Sequence, residues 1–79
     1  MAYTMPWQLK SNERRYRFQV GKWVGLVDWW EGTPTGNLAL WHEDDLLAND
    51  VTQTVDLGRY AVEDAYHEAV LYPPAQPSG

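Results

Sequence analysis

Tyr16, Phe18 and Val20 alternate with Arg15, Arg17 and Gln19, the two-residue period of a strand with one buried face. The pattern predicts a strand over residues 14–20. Gly21-Lys22 follows, a Gly-X pair of the kind that closes tight hairpins. Residues 23–31 then return as a second strand, and a two-residue turn fixes the register. Val20 is expected opposite Trp23, Phe18 opposite Gly25, Tyr16 opposite Val27, and Arg15 opposite Asp28. Two of these pairs favour the register. Phe18 can cover the bare backbone of Gly25, and Arg15 meets a carboxylate across the strands. Gly32-Thr33-Pro34-Thr35-Gly36 reads as a loop. Residues 37–42 are a third, antiparallel strand, with Trp29 near Ala39 and Val27 near Trp41. The expected core face then holds Tyr16, Phe18, Val20, Trp23, Val27, Trp29 and Trp41.

The flanking segments are less regular. Residues 1–13 read as irregular or weakly extended, with a turn at Ser11-Asn12-Glu13. Residues 43–50 read as an acidic loop or a short helical turn anchored by Leu46-Leu47. Residues 51–57 are β-branched at Val51, Thr52, Thr54 and Val55, which favours a fourth strand. From about Tyr60 the period becomes helical. Ala61, Val62, Ala65, Tyr66, Ala69 and Val70 take one side, and Glu63, Asp64, His67 and Glu68 the other. This helix should end before Pro73-Pro74, leaving residues 73–79 as a disordered Pro-rich tail on a domain of residues 1–72. The predicted fold is α+β: an antiparallel β-meander of three to four strands, with one C-terminal amphipathic helix packed on one face.

The other face of that meander would carry Arg15, Arg17 and Gln19, but also Val24, Leu26, Trp30, Leu38 and Leu40. That is apolar enough to need a cover or a partner. The N-terminal segment, with Met5, Trp7 and Leu9, can fold across it. A second copy of the chain or a different protein can also dock there.

Composition sharpens the picture. The 79 residues include no cysteine, which excludes disulfides and thiolate metal sites. Five Trp, five Tyr and one Phe supply the core mass instead. No apolar run is long enough for a membrane span, and the N-terminus lacks the pattern of a signal peptide, so a non-membrane intracellular protein is expected. Net charge is −5 and unevenly placed. Residues 1–22 hold five basic residues against one acidic, a net +4. Residues 23–79 hold Arg59 against ten carboxylates, a net −9. Most of the chain would repel phosphates, so direct nucleic-acid binding is disfavoured. A basic macromolecular surface is the better-matched partner.

Catalytic chemistry finds little support. Ser11 and Ser78 are the only serines, one in the expected turn and one in the tail, and without cysteine a nucleophile–base pair is hard to assemble. His42 beside Glu43, Asp44 and Asp45 comes nearest to a metal or acid–base set, yet its spacing matches no closed motif. His67 belongs to the polar side of the helix. No Gly-rich phosphate loop is present. The expectation is a binding protein with no catalytic residues, cofactor or metal.

Trp23-Val24-Gly25-Leu26-Val27-Asp28-Trp29-Trp30, Trp41-His42-Glu43-Asp44-Asp45 and the stretch from Tyr60 to Ala69 give a short, acidic, cysteine-free chain that resembles the small phage-type anti-CRISPR proteins, of the type I-C group. The resemblance implies an inhibitor that acts in the cytoplasm of a bacterial host. Its implied partner is the Cascade surveillance complex, whose basic DNA-binding surface it would occupy, as a monomer or weak homodimer. The expected contact residues are Glu43, Asp44, Asp45 and Asp50, with Glu63, Asp64 and Glu68 on the helix and Trp30 as an apolar anchor. The alternative is a small interaction or oligomeric structural domain without catalytic activity.

Overall fold

The computed structural model describes residues 3–71. Residues 72–79 lie outside the described residues, and with them the expected tail. Five strands run in chain order: β1 (Gln8–Lys10), β2 (Arg15–Val20), β3 (Trp23–Trp29), β4 (Gly36–His42) and β5 (Asp45–Thr52). One turn of 3-10 helix, Ser11–Glu13, joins the first two, and α1 (Val55–Leu71) follows the last. Every neighbouring pair is antiparallel and the spatial order is β1-β2-β3-β4-β5. The fold is α+β, a five-stranded meander with the helix packed on one face. The sheet therefore exceeds the expected three to four strands, because β1 adds a short edge beside β2.

The β2–β3 hairpin has the expected register, with Val20, Phe18, Tyr16 and Arg15 opposite Trp23, Gly25, Val27 and Asp28. The Phe18 ring lies so close over Gly25 that a Cβ there would overlap it. Arg15 Nε donates to Asp28 Oδ1 at 2.6 Å.

The β3–β4 register is a correction. Trp29 pairs with Gly36 and Val27 with Leu38, rather than with Ala39 and Trp41. The Trp30 amide donates to the Thr35 carbonyl at 3.0 Å, and this closes the loop three residues earlier than its composition suggests. An odd shift in register exchanges the two faces of a strand. Leu38 and Leu40 thus enter the core with Phe18, Val27 and Val62, while Trp41 turns to the opposite face beside Val24 and Leu46.

Residues 45–50 are strand rather than an acidic loop. Ala48, Asn49 and Asp50 are poor strand formers, but β4 pairs with this segment along its length. Leu47 is the extra residue of a bulge, since Leu40 pairs with Ala48 and Trp41 with Leu46. Only Glu43-Asp44 remain as the turn.

The helix begins at Val55, earlier than its apolar period suggests. Thr54 supplies the N-terminal cap: its Oγ1 accepts the Leu57 amide at 3.1 Å. Gly58 lies over Thr52 and Val27, and a Cβ there would come within 2.9 Å of the Thr52 methyl. The helix can approach the sheet closely only because that atom is missing.

Gly25→Ala should destabilise the domain by about 2 kcal/mol, because Phe18 must leave its place over the strand. Urea denaturation reads this as a lower midpoint. An unchanged midpoint would show that Phe18 does not need the bare Gly25 backbone.

Candidate functional site

The helix has three sides. Gly58 and Val62 face the sheet. The N-terminal segment runs along a second side, where Tyr3 meets Asp56 and Tyr60, and Thr4 meets Glu63 and His67. At 100° per residue, Ala61, Asp64 and Glu68 fall on the remaining side, toward β5. Asp64 and Glu68 are exposed there. Asp45 and Asp50 on the β5 edge strand, and Asp44 in the turn before it, are exposed too. None of these five carboxylates has an ion pair among the described residues. They form an acidic flank along β5 and the outer side of α1.

Other expected contact residues are placed differently. Glu43 is exposed beside this flank but holds Lys22 at 3.0 Å, and that hydrogen bond keeps its carboxyl below the usual range. Glu63 is only 5% exposed and does not belong to the acidic surface. Its carboxylate accepts hydrogen bonds from the Thr4 amide at 3.0 Å, the Thr4 hydroxyl at 2.9 Å, the Met5 amide at 3.1 Å and the Trp7 indole at 2.7 Å. Burial would raise its pKa, but these donors together outweigh burial and hold it below the ordinary value. Trp30 is 49% exposed but lies past the end of β3 that pairs with Gly36, at the opposite end of the strands from the Glu43-Asp44 turn. It cannot anchor a partner at that turn. Trp41 is an aromatic close to the turn on the open face, one register position from the His42–Asp45 pair. Only the β3–β4 register reveals it.

The N-terminal segment, expected as a possible cover for the second sheet face, instead packs on the helix side. Met5 and Trp7 touch the core there, and Trp7 meets Phe18 edge-to-face at 4.8 Å. Among the described residues, no segment covers the second face. By register it carries Gln8 and Lys10, Arg15, Arg17 and Gln19, Val24, Leu26 and Asp28, Asn37, Ala39 and Trp41, then Leu46, Asn49 and Val51.

Sequence reasoning also missed a cluster built on Arg59. Its guanidinium lies 4.0 Å from the ring centres of both Tyr3 and Tyr16, a double cation–π sandwich. It also donates to Asp56 at 2.7 Å. Burial, then the hydrogen bond to Asp56, pushes the Tyr3 hydroxyl up to about 12. This cluster joins the helix to the N-terminal segment and to β2.

His42 stacks on Trp23 at 4.2 Å on the helix side of the sheet. No group of three or more His, Asp or Glu side chains among the described residues is placed to hold a metal ion. No helix among them is long and apolar enough to cross a membrane. No protein-family model, curated protein or solved structure matches the chain.

The Glu63 contacts predict an acid transition. A carboxyl whose folded pKa is depressed contributes stability that is complete above its unfolded value and is lost as pH falls through the folded one. The segment holding Trp7 should therefore undock as pH falls below the ordinary glutamate range and through the depressed pKa of Glu63. Trp fluorescence should report the change, and a Trp7→Phe control should remove the Trp7 part of it. Glu63→Ala should cost about 3 kcal/mol at neutral pH, because it strands buried donors. A Glu63→Ala chain with wild-type stability and emission would contradict the clasp.

Proposed function

We propose that the protein is a non-catalytic inhibitor of the type I-C anti-CRISPR kind, which binds the Cascade surveillance complex and blocks target DNA binding. The observation that carries this reading is the segregation of charge. Asp44, Asp45, Asp50, Asp64 and Glu68 stand exposed along β5 and α1. Lys10, Arg14 and Arg17 stand at the opposite edge, on β1, β2 and their connection.

RNA-guided complexes hold nucleic acid in positively charged channels. A carboxylate accepts the same charge-assisted hydrogen bonds from Arg and Lys as a phosphate oxygen does. A row of carboxylates on a rigid strand and helix can therefore occupy sites that would otherwise hold the DNA backbone. Their summed field speeds encounter with a basic surface. Trp41 and Leu46, beside the turn on the open face, offer apolar contacts at its margin. The resemblance of the chain names the target, and the acidic flank supplies the chemistry of recognition. Such a target places the inhibitor in the cytoplasm of the host bacterium.

The test is a mobility-shift assay of Cascade on its target duplex, with the inhibitor titrated in. An Asp44→Lys/Asp45→Lys chain should need about tenfold more protein for half inhibition. Its circular dichroism should match the wild type, because neither carboxylate has an ion pair among the described residues. Full inhibition by that folded variant would sink the acidic-flank reading.

A further inference from the structure

We propose that residues 3–10 exchange between two copies of this chain, giving a dimer in which each copy lays its N-terminal segment on β2 and α1 of the other. The turn that joins this segment to the domain carries the inference. Only four residues, 11–14, reverse the chain between β1 and β2. Arg14 closes the turn, its amide donating to the Ser11 carbonyl at 3.2 Å, and does so at φ 50°. That is the left-handed region, which a side chain such as Arg disfavours. A short hinge under strain invites exchange of the segment it holds. Glu43 is the other non-glycine residue with positive φ among the described residues, but its turn joins two strands that pair along their length. β1 is held by three ladder positions.

Opening the turn loses no pairing. In the closed chain Gln8, Leu9 and Lys10 pair with Arg17, Tyr16 and Arg15. When the same antiparallel register is made with a second copy, the ladder runs on through the straightened hinge. Ser11 of one copy then faces Arg14 of the other, and Asn12 faces Glu13, about a two-fold axis between residues 12 and 13. No like charges meet at these positions. Arg14 is also placed to extend β2. Arg15 pairs with Asp28, so Arg14 stands opposite Trp29, and its carbonyl already accepts the Trp29 amide at 3.1 Å.

The socket that receives the segment lies wholly outside it. Glu63 accepts the Thr4 and Met5 amides and the Trp7 indole, Tyr60 stacks on Tyr3, Arg59 lies over the Tyr3 ring, and Phe18 meets Trp7. All of these receiving groups are on α1 or β2. A segment from a second copy satisfies them identically, and the exchange is reciprocal. The two forms therefore differ at the hinge: release of the Arg14 turn favours the dimer, the cost of association opposes it, and protein concentration sets the balance.

Refolding the full chain from urea at about 1 mM protein, and in parallel at about 10 µM, tests this by sedimentation velocity. The dilute sample should be monomeric. The concentrated one should contain a dimer that survives dilution, because reversal must first free the segment from β2 and Glu63. Arg14→Gly, which removes the strain of the closed turn, should lower the dimer yield about fivefold. The chain has no cysteine, so Gln8→Cys/Arg17→Cys adds a single cross-strand pair at facing positions. Oxidised after refolding, its dimer fraction should run as two linked chains on a non-reducing gel, and its monomer fraction as one. Lys10→Cys/Arg15→Cys, the facing pair nearest the hinge, should give the same result. A wild type that is wholly monomeric after refolding at about 1 mM overturns the proposal. So does a dimer whose cysteines close within one chain, since that is surface association without exchange. An undiminished dimer yield from Arg14→Gly would contradict the strained hinge.

Discussion

The Glu63 carboxylate accepts the Thr4 and Met5 amides, the Thr4 hydroxyl and the Trp7 indole, all within 3.1 Å, and so joins the two ends of the domain. A buried carboxylate is tolerated only when its oxygens are satisfied. Here the donors come from a segment more than fifty residues away in sequence. That segment completes the layer over the sheet: the helix packs on β3, β4 and β5, while Trp7 reaches Phe18 on β2. Tyr3 and Tyr16 close over Arg59 beside it. A small chain without cysteine thus gains a second connection between its N-terminus and its helix, by hydrogen bonds and aromatic rings.

Two consequences reach the surface. The N-terminal segment, once held by Glu63, does not cover the opposite face of the sheet, and that face is left with Val24, Leu26 and Trp41. One carboxylate of the acidic C-terminal half is also withdrawn from solvent. Five others, Asp44, Asp45, Asp50, Asp64 and Glu68, lie on the far side of the helix, along β5 and in the turn before it. Because strand order equals chain order, the charge asymmetry of the sequence becomes an asymmetry in space. Early basic residues occupy the β1–β2 edge and later acidic residues the β5–α1 flank. A meander converts sequence order into position across the sheet, and here it yields a molecule with two oppositely charged edges.

The β2–β3 hairpin was legible because Gly21-Lys22 leaves room for one register, with Phe18 over Gly25 and Arg15 against Asp28. The next loop was not. Five residues of Gly, Thr and Pro permit several closures, and a shift of three exchanged Leu38 and Leu40 with Trp41. β5 was hidden because Ala48, Asn49 and Asp50 have no strand propensity of their own; pairing with β4 overrides them. The helix start was hidden by Gly58 and the β-branched run before it, although Thr54 is a good cap residue. In the candidate site, charge sign alone marked Asp44, Asp45, Asp50, Asp64 and Glu68. Helical periodicity also placed Glu63 with the polar residues. It could not show that Thr4, Met5 and Trp7 would cover that position, because their contact is wholly non-local.

Equilibrium binding of the labelled chain to purified type I-C Cascade, measured with the complex empty and with it loaded with target duplex, bears most directly on a carboxylate flank that takes the place of DNA. The account predicts binding to the empty complex, loss of binding once the duplex is loaded, and affinity that falls as salt rises. Equal affinity for empty and loaded complexes, or no binding to either, would contradict it.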